Sequence, residues 1–191
     1  MILRNVMRKI LVIGSGGSGK STFATRLGAR LKLEVIHLDS CYWQAGWQET
    51  PKAEWQARVA ELIAREAWIM DGNYSGTLEL RLKACDTVVF LDLPRTLCLW
   101  RVVKRAVMYW GQPRPDMAAG CPERLTLEFV QWIWHYPRRT RPQVRALLQA
   151  CARAKQIVHL RSRADVEKYL ANVTNDSQSA DESCASGSLE L

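Results

Sequence analysis

The sequence predicts an α/β fold in which helices cover both faces of a parallel β-sheet. Five short apolar segments alternate with longer stretches of helical periodicity. Strands that are apolar along their whole length, rather than at alternate positions, are typical of parallel sheets buried on both faces. A glycine-rich segment joins the first apolar run to the first helical stretch. At 191 residues the chain is long enough to form one domain with a full core.

The predicted strands end at residues that could serve a binding site. The five strands lie at residues 9–13, 35–38, 68–70, 87–91 and 156–160. Asp39, Asp71 and Asp92 each follow directly after one of them. Because ligands of open α/β sheets lie beyond the carboxyl ends of the strands, we expect these aspartates at the ligand-binding edge.

Helices are predicted in three of the four intervals between the strands and after the last strand. Thr50-Pro51 has the composition of a helix cap followed by proline at the first helical position. Pro137 predicts a break between two later helices. We expect helices at residues 22–31, 51–63, 95–110, 125–135, 139–155 and 164–170. The second of them begins at Pro51.

The glycine-rich segment, residues 14–21, reads Gly-Ser-Gly-Gly-Ser-Gly-Lys-Ser. Two glycines separated by four residues and followed by lysine and serine, between a strand and a helix, predict a phosphate-binding loop. Glycines let successive N–H groups turn toward one anion, and the positive end of the helix adds to this field. The expected nucleotide contacts are Gly14, Ser15, Gly16, Gly17, Ser18, Gly19, Lys20, Ser21 and Thr22.

Within this loop, Lys20 is expected to reach the β- and γ-phosphates of ATP, and the Ser21 hydroxyl to bind Mg²⁺. Transfer of a phosphoryl group also needs a carboxylate that holds metal-bound water or takes a proton from the acceptor. Asp39 and Asp71 are the candidates for these roles. For Asp92, capping of the following helix is the better explanation.

Composition limits the classes of protein that remain. The formal charge is +8, but residues 172–191 hold four acidic residues and no Lys or Arg, so residues 1–171 carry +12. Such a basic body favours anionic partners, including nucleotides and nucleic acid. The six cysteines form no Cys-x-x-Cys pair, which argues against zinc and for reduced thiols in the cytoplasm. No apolar run is long enough for a membrane span.

Four segments together resemble one family of proteins. They are the loop at 14–21, His-Leu-Asp at 37–39, WIMDGNY at 68–74 and VVFLDLPR at 88–95. This pattern resembles the nucleoside-monophosphate-kinase branch of P-loop proteins, which includes adenylate and shikimate kinases. The segment RPDMAAGCPE at 114–123 resembles small bacterial proteins known as DNA topology modulation proteins or adenylate kinase-related kinases. The resemblance covers about residues 8–171.

The resemblance implies a three-layer P-loop fold, with strand order 2-3-1-4-5 and a mobile helical lid after the fourth strand, at about residues 105–141. It also implies that Asp39 faces the acceptor, that Asp71 lies near the magnesium waters, and that the segment containing Arg163 holds the adenine. The arginine that would grip an acceptor phosphate is absent at Ser75. Arg81 or a lid arginine could substitute for it.

Arginines and aromatic residues are concentrated around the expected lid. Arg101 and Arg105 share a helical face and are the first candidates to neutralise charge on the transferring phosphate. Further lid candidates are Arg114, Arg124, Arg138, Arg139 and Arg141. Stacking on a base or sugar is open to Tyr42, Trp43, Trp47 and Tyr74, whereas packing inside the lid is expected for Trp100, Trp110, Trp132 and Trp134.

These observations favour an ATP- and Mg²⁺-dependent kinase that phosphorylates a small molecule. Two alternatives stay open: a nucleic-acid-associated protein, and a nucleotide-dependent regulatory ATPase. We expect one kinase-like domain over residues 1–171, a disordered acidic tail over 172–191, and a monomer or homodimer in the cytoplasm.

Overall fold

The computed structural model describes residues 7–112 and 116–173. Their main element is a five-stranded parallel sheet, as the sequence predicts. It contains β1 (Lys9–Gly14), β2 (Val35–His37), β5 (Trp68–Asp71), β6 (Thr87–Leu91) and β7 (Gln156–Leu160). The short strands β3 (Trp43–Gln44) and β4 (Gln48–Glu49) form a separate antiparallel hairpin.

The order of the strands places β1 at the centre of the sheet. The observed order is β2-β5-β1-β6-β7. Counted among the parallel strands alone, this is 2-3-1-4-5, which confirms the predicted topology. Since every strand runs in the same direction, the segment that follows β1 lies at mid-sheet, beside the ends of β5 and β6.

Helices cover both faces of the sheet. They are α1 (Lys20–Leu31), α2 (Leu38–Tyr42), α3 (Lys52–Ala64), α4 (Ser75–Ala84), α5 (Arg95–Met108), α6 (Leu127–Cys151) and α7 (residues 163–173). Helix α7 extends two residues beyond the predicted domain end at 171, and its last residue, Val173, is buried. Residues 174–191 of the expected tail, and Arg114 in the expected lid, lie outside the described residues.

The core has two layers because successive residues of β1 point to opposite faces of the sheet. Ile10 and Val12 pack with α1 and α7 on one face. Leu11 and Ile13 pack with α3, α4 and α6 on the other. All four of these β1 side chains are at most 2% exposed. The sheet with its two helical layers is therefore a rigid base for the loops at its carboxyl edge.

The predicted break at Pro137 is wrong, because α6 continues through both Pro137 and Pro142. Each proline removes one N–H donor from the helix. Tyr136, which precedes both prolines, and Val144, which follows them, are nevertheless both buried. Packing of one continuous helix against the core therefore outweighs the hydrogen bonds that the prolines remove.

The predicted cap at Thr50 is also wrong. Helix α3 begins at Lys52, and Pro51 precedes it with no side-chain cap. The Thr50 hydroxyl instead donates to the carbonyl of Tyr42, so Thr50 fixes the end of the hairpin rather than the start of the helix. No helix within the described ranges has both the length and the apolar character that crossing a bilayer requires.

Candidate active site

The loop between β1 and α1 adopts the curled backbone that its glycines allow. Gly17 and Gly19 have φ of +73° and +90°, values that L side chains rarely adopt. Within the curl, the Ser18 amide donates to the Ser15 carbonyl at 3.2 Å. The Ser15 and Ser18 hydroxyls are buried and have no hydrogen-bond partner in the described part of the chain. A ligand rich in oxygen atoms would satisfy them.

Two of the glycines are needed for close packing as well as for their backbone conformation. A Cβ at Gly17 would lie 2.2 Å from the Cys98 carbonyl oxygen on α5. A Cβ at Gly16 would lie 2.6 Å from the Phe129 ring on α6. The loop is thus wedged between the strand it follows and two helices that are distant in sequence.

Lys20 opens α1 and points back over the loop, where its Nζ donates to the Ser15 carbonyl at 2.9 Å. Burial lowers the pKa of this ammonium, while the carboxylates of Asp39 and Asp71 raise it. All three predicted groups therefore lie close enough to interact electrostatically. Ser21 and Thr22 occupy the first turn of α1, where backbone N–H groups have no intrahelical acceptor and can donate to an anion.

The prediction that Asp39 directly follows a strand is wrong. Strand β2 ends at His37, and Asp39 belongs to the short helix α2. Its Oδ1 accepts a hydrogen bond of 2.7 Å from the Tyr74 hydroxyl. Burial, and then the Asp39 charge, raise the pKa of Tyr74, so the phenol stays protonated and donates. This contact fixes one carboxylate oxygen of Asp39.

Asp71 ends β5 as expected, and it is 3% exposed. Its Oδ1 lies 3.0 Å from Nδ1 of His37, which sequence analysis did not single out. The hydrogen bond to Asp71 is the main cause of a raised pKa at His37. The pairing of β2 with β5 sets His37 opposite Asp71. The predicted adjacency of these two strands was the signal that could have identified the pair.

Asn73 joins the segment after β5 to the start of the phosphate loop. Its Oδ1 accepts from the Gly14 amide at 3.2 Å, and its Nδ2 donates to the Gly14 carbonyl at 2.6 Å. The side-chain amide thus imitates a strand partner at a point where the two backbones separate.

Arg81 on α4 holds the same segment from inside the protein. Its side chain is fully buried and donates to the carbonyls of Gly72, Asn73 and Tyr74 at 2.8–3.0 Å. Burial lowers the pKa of Arg81 to about 10, so it remains charged at neutral pH. Because its donors are committed to the backbone, Arg81 does not replace the acceptor-binding arginine that is absent at Ser75.

Arg101 and Arg105, the first lid candidates, both approach the loop from α5. Arg101 donates to the Ser18 carbonyl at 3.0 Å. Arg105 forms an ion pair with Glu123 at 2.9 Å, and its charge contributes to the lowered pKa of Lys20. The structure thus brings Arg101 into contact with the loop, whereas Arg105 contacts Glu123.

The other candidate arginines lie elsewhere. Arg124 stacks over the Trp47 ring, with 4.4 Å between the guanidinium carbon and the ring centroid. Arg163 is exposed at the start of α7, where its charge acts on Glu167. Arg138 and Arg139 are exposed to solvent on α6.

The expectation that Asp92 caps a helix is wrong. Pro94 is the residue before α5, and it provides no side-chain cap. The Asp92 side chain is 5% exposed and pairs with Arg145 at 2.8 Å, His159 at 3.0 Å and Arg141 at 3.5 Å. Arg141, a predicted lid residue, is therefore held at Asp92 instead of at the phosphate loop.

The β3–β4 hairpin contacts residues 120–122 of the expected lid, on the side of the hairpin near Asp39. The Gly46 amide donates to the Gly120 carbonyl at 2.9 Å, and Trp47 Nε1 donates to the Pro122 carbonyl at 3.1 Å. On the inner side, the Tyr42 ring packs against Trp43 and Tyr74. Aromatic side chains thus line the approach to Asp39 and can stack on a ring or sugar.

The expected packing of the lid tryptophans holds for only one of them. Trp132 stacks on Phe129, with 6.0 Å between ring centroids. Trp100, Trp110 and Trp134 instead expose 63%, 76% and 45% of their surface. For Trp100 and Trp134 the reason is that α5 and α6 each turn only one face toward the phosphate loop, whereas Trp110 lies beyond the end of α5.

Comparison with known proteins identifies the fold of the chain but does not assign the chain to a family. No protein-family profile matches the chain, and no curated protein matches its sequence. Among solved structures, shikimate kinase from Acinetobacter baumannii in complex with shikimate superposes with a TM-score of 0.56, at 17% identity over 96% of each chain.

Two further solved structures are similar more distantly. A sugar kinase from Janibacter sp. has a TM-score of 0.46, at 17% identity over 91% of this chain and 93% of its own. Deoxyadenosine kinase from M. mycoides has 0.48, at 13% identity over 89% and 98%. The superposition on shikimate kinase shows that the chain has the same α/β fold. None of these structures supports the resemblance to DNA topology modulation proteins.

Proposed function

We propose that the protein is a kinase that transfers the γ-phosphoryl group of ATP to a small molecule. The observation that carries this proposal is the position of Lys20. It opens a helix behind the curled glycine loop, within electrostatic range of Asp39 and Asp71. A phosphate cradle with a carboxylate at its rim is the minimum that phosphoryl transfer requires.

The residues present fit one Mg²⁺ ion that is held mostly by phosphates. In the described ranges, no three His, Cys, Asp or Glu side chains come together in a cluster that could bind a metal. Mg²⁺ in phosphoryl-transfer sites commonly keeps several waters and uses one or two protein ligands. Ser21 and Asp71 would supply these contacts, and the bound ion would neutralise phosphate charge.

The acceptor would lie beside Asp39. Its hydroxyl oxygen attacks the γ-phosphorus, its proton passes to the free Asp39 oxygen, and the bond from phosphorus to the β–γ bridging oxygen breaks to release ADP. Tyr74 orients Asp39 through its other oxygen. Arg101 and Arg105 would stabilise the charge that builds on the transferring group. Asp71 stays a second candidate for the base, although its contact with His37 and its burial fit a role near the metal better.

The test is a pair of variants measured with Mg-ATP and a panel of nucleosides, nucleotides and hydroxylated metabolites. Lys20→Ala is expected to weaken ATP binding at least about tenfold, because it removes a charge-assisted contact to the phosphates. Asp39→Asn is expected to retain ATP binding and to lose about 10²-fold or more in kcat. Calorimetry and ADP release are the readouts. Unchanged ATP affinity in Lys20→Ala would overturn the assignment of the loop.

A regulatory ATPase is the second candidate, and the surface of α5 favours it. The inner face of α5 contacts the loop through Cys98 and Arg101. Its outer face exposes Trp100, Val103 and Val107 by 63%, 42% and 73%. A helix that contacts the nucleotide loop on one side and is apolar on the other could report the nucleotide state to a partner. Slow ATP hydrolysis that no acceptor in the panel accelerates would favour this candidate.

A further inference from the structure

A cavity separate from the phosphate loop lies at the carboxyl edge of the sheet, between the ends of β6 and β7. It has a volume of about 380 Å³, within the range of small-molecule sites. Its lining includes Asp92, Arg95, Arg141, Arg145 and Arg161. The lining thus combines four arginines with one carboxylate, which leaves three positive charges in excess.

Each arginine is held in place by a contact that leaves part of its guanidinium exposed. Arg141 and Arg145 pair with Asp92, and their side chains are 36% and 44% exposed. Arg95 stacks over the Trp134 ring, with 3.8 Å between the guanidinium carbon and the ring centroid.

Arg161 lies at the other wall of the cavity, where its Nη2 is 3.4 Å from His159 Nδ1, and His159 itself contacts Asp92. Asp165, the acidic residue nearest to Arg161 in sequence, accepts from the amides of Arg161 and Ser162. The one carboxylate within the cavity lining thus pairs with only two of the four arginines.

A second cavity, of about 290 Å³, shares Arg145 and Arg161 with the first. The rest of its lining is mostly apolar and includes Phe90, Leu148 and Ile157. The Phe90 ring stacks on His159 at 5.0 Å. Together the two cavities form a groove with a strongly basic end and an apolar end.

We propose that this groove binds a phosphate ester with an apolar body, at a site distinct from the phosphate loop. Arginine forms paired, charge-assisted hydrogen bonds with phosphate oxygens, so one phosphate group can offset two of the excess charges. The apolar body would lie against Ile157 and Ala152, which line the second cavity and reach its surface. The contacts of α6 explain why the two sites can act separately. Phe129 and Ile133 approach the loop, whereas Arg141 and Arg145 lie two or more turns further along the helix.

The experiment uses calorimetry on the full chain carrying Lys20→Ala, with phenyl phosphate and inorganic phosphate as probes at physiological salt. We expect phenyl phosphate to bind and inorganic phosphate to bind more weakly. Arg161→Gln should weaken the binding of phenyl phosphate about tenfold. Arg153→Gln removes the same charge from an exposed position outside the groove and should leave it unchanged. Arg161 is chosen because its removal leaves all three direct contacts of Asp92 intact.

Three results would overturn the proposal. The first is that neither probe binds, or that both bind equally well. The second is equal weakening by Arg161→Gln and Arg153→Gln, which would indicate a general charge effect. The third is a matching loss of ATP affinity when Arg161→Gln is placed in the otherwise native chain, which would assign the groove to the ATP site. Thermal melting of each variant confirms that it is folded.

Discussion

The phosphate loop and the segment Asp71–Tyr74 lie side by side at the same edge of the sheet, but different interactions hold them. The loop takes its shape from its own glycines, two of which have φ that other residues avoid. The segment after β5 takes its shape from Arg81, which lies seven residues beyond its end and binds three of its carbonyls. A short sequence can thus encode the first region, whereas the second depends on a buried charge in the following helix.

Asn73 connects the two regions through its paired contacts with Gly14. Because of this connection, a disturbance of either region can reach the other through one side chain. The predictions below ask how separate the two regions are, and they are ordered by the size of the expected effect.

The largest effect is expected from Gly17→Ala. The new Cβ would meet the Cys98 carbonyl oxygen at 2.2 Å, and the residue would have to keep a φ of +73°. The conformation alone costs about 1–2 kcal/mol, and the overlap forces the loop away from α5. We expect ATP affinity to fall more than about tenfold by calorimetry.

Gly76→Ala is the matched control for this change, since its Cβ would have no neighbour within 4 Å and its helical position favours alanine. If both alanine variants bound ATP equally well, the loop would not depend on its glycines, and the first half of the comparison would fail.

Arg81→Met tests the second region. Methionine fills much of the volume but removes the donor to the carbonyls of Gly72 and Asn73, whereas the Tyr74 carbonyl keeps its contacts with Thr77. We expect the free energy of unfolding to fall by about 2–5 kcal/mol, measured by urea denaturation. Below the melting temperature, kcat should fall more than ATP affinity, because the segment positions Tyr74 against Asp39.

The control for Arg81 is Arg65→Met, which removes an exposed arginine that pairs with Glu34. It should cost no more than about 1 kcal/mol, as surface ion pairs do. A cost for Arg81→Met that is as small as this control would show that the segment is stable without the buried guanidinium.

The smallest effect is expected from His37→Gln. The raised pKa of His37 means that its protonated form stabilises the folded state. This contribution is fully present below the unfolded value of 6.5, and it is lost as pH rises through the higher folded pKa. The native chain should therefore lose stability in this window, and His37→Gln should not. Thermal melts between pH 5.5 and about 8.5 would show the difference. Parallel curves for the two proteins would exclude the pair of His37 and Asp71 as its origin.

Much of the site was predictable because its placement follows from topology. Parallel strands bring their carboxyl ends to one edge, so Lys20, Asp39 and Asp71 could be grouped from the order of the strands alone. The partners of these residues could not be predicted in the same way. Tyr74 and Arg81 were candidates for other roles, stacking and acceptor binding, and His37 was not a candidate. Their observed roles arise from contacts across 35, 7–9 and 34 positions.

The errors have a common cause. Each residue was interpreted by its local preference: Pro137 as a helix break, and Thr50 and Asp92 as helix caps. In the structure, packing of α6, the Tyr42 carbonyl at the end of α2 and three basic side chains of other elements override these preferences. Local propensities are worth about 1 kcal/mol for caps and a few for proline, and burial of a long helix or pairing of a buried carboxylate exceeds them.

The sequence by itself determined the five parallel strands, the covered sheet and the phosphate loop, because apolar periodicity and glycine conformations are properties of short segments. The tertiary structure alone decided which side chains hold Asp39 and Asp71, where Arg81 directs its donors, and that Arg141 and Arg145 pair with Asp92. These outcomes depend on distances between elements that are far apart in the chain, and no local preference encodes such a distance.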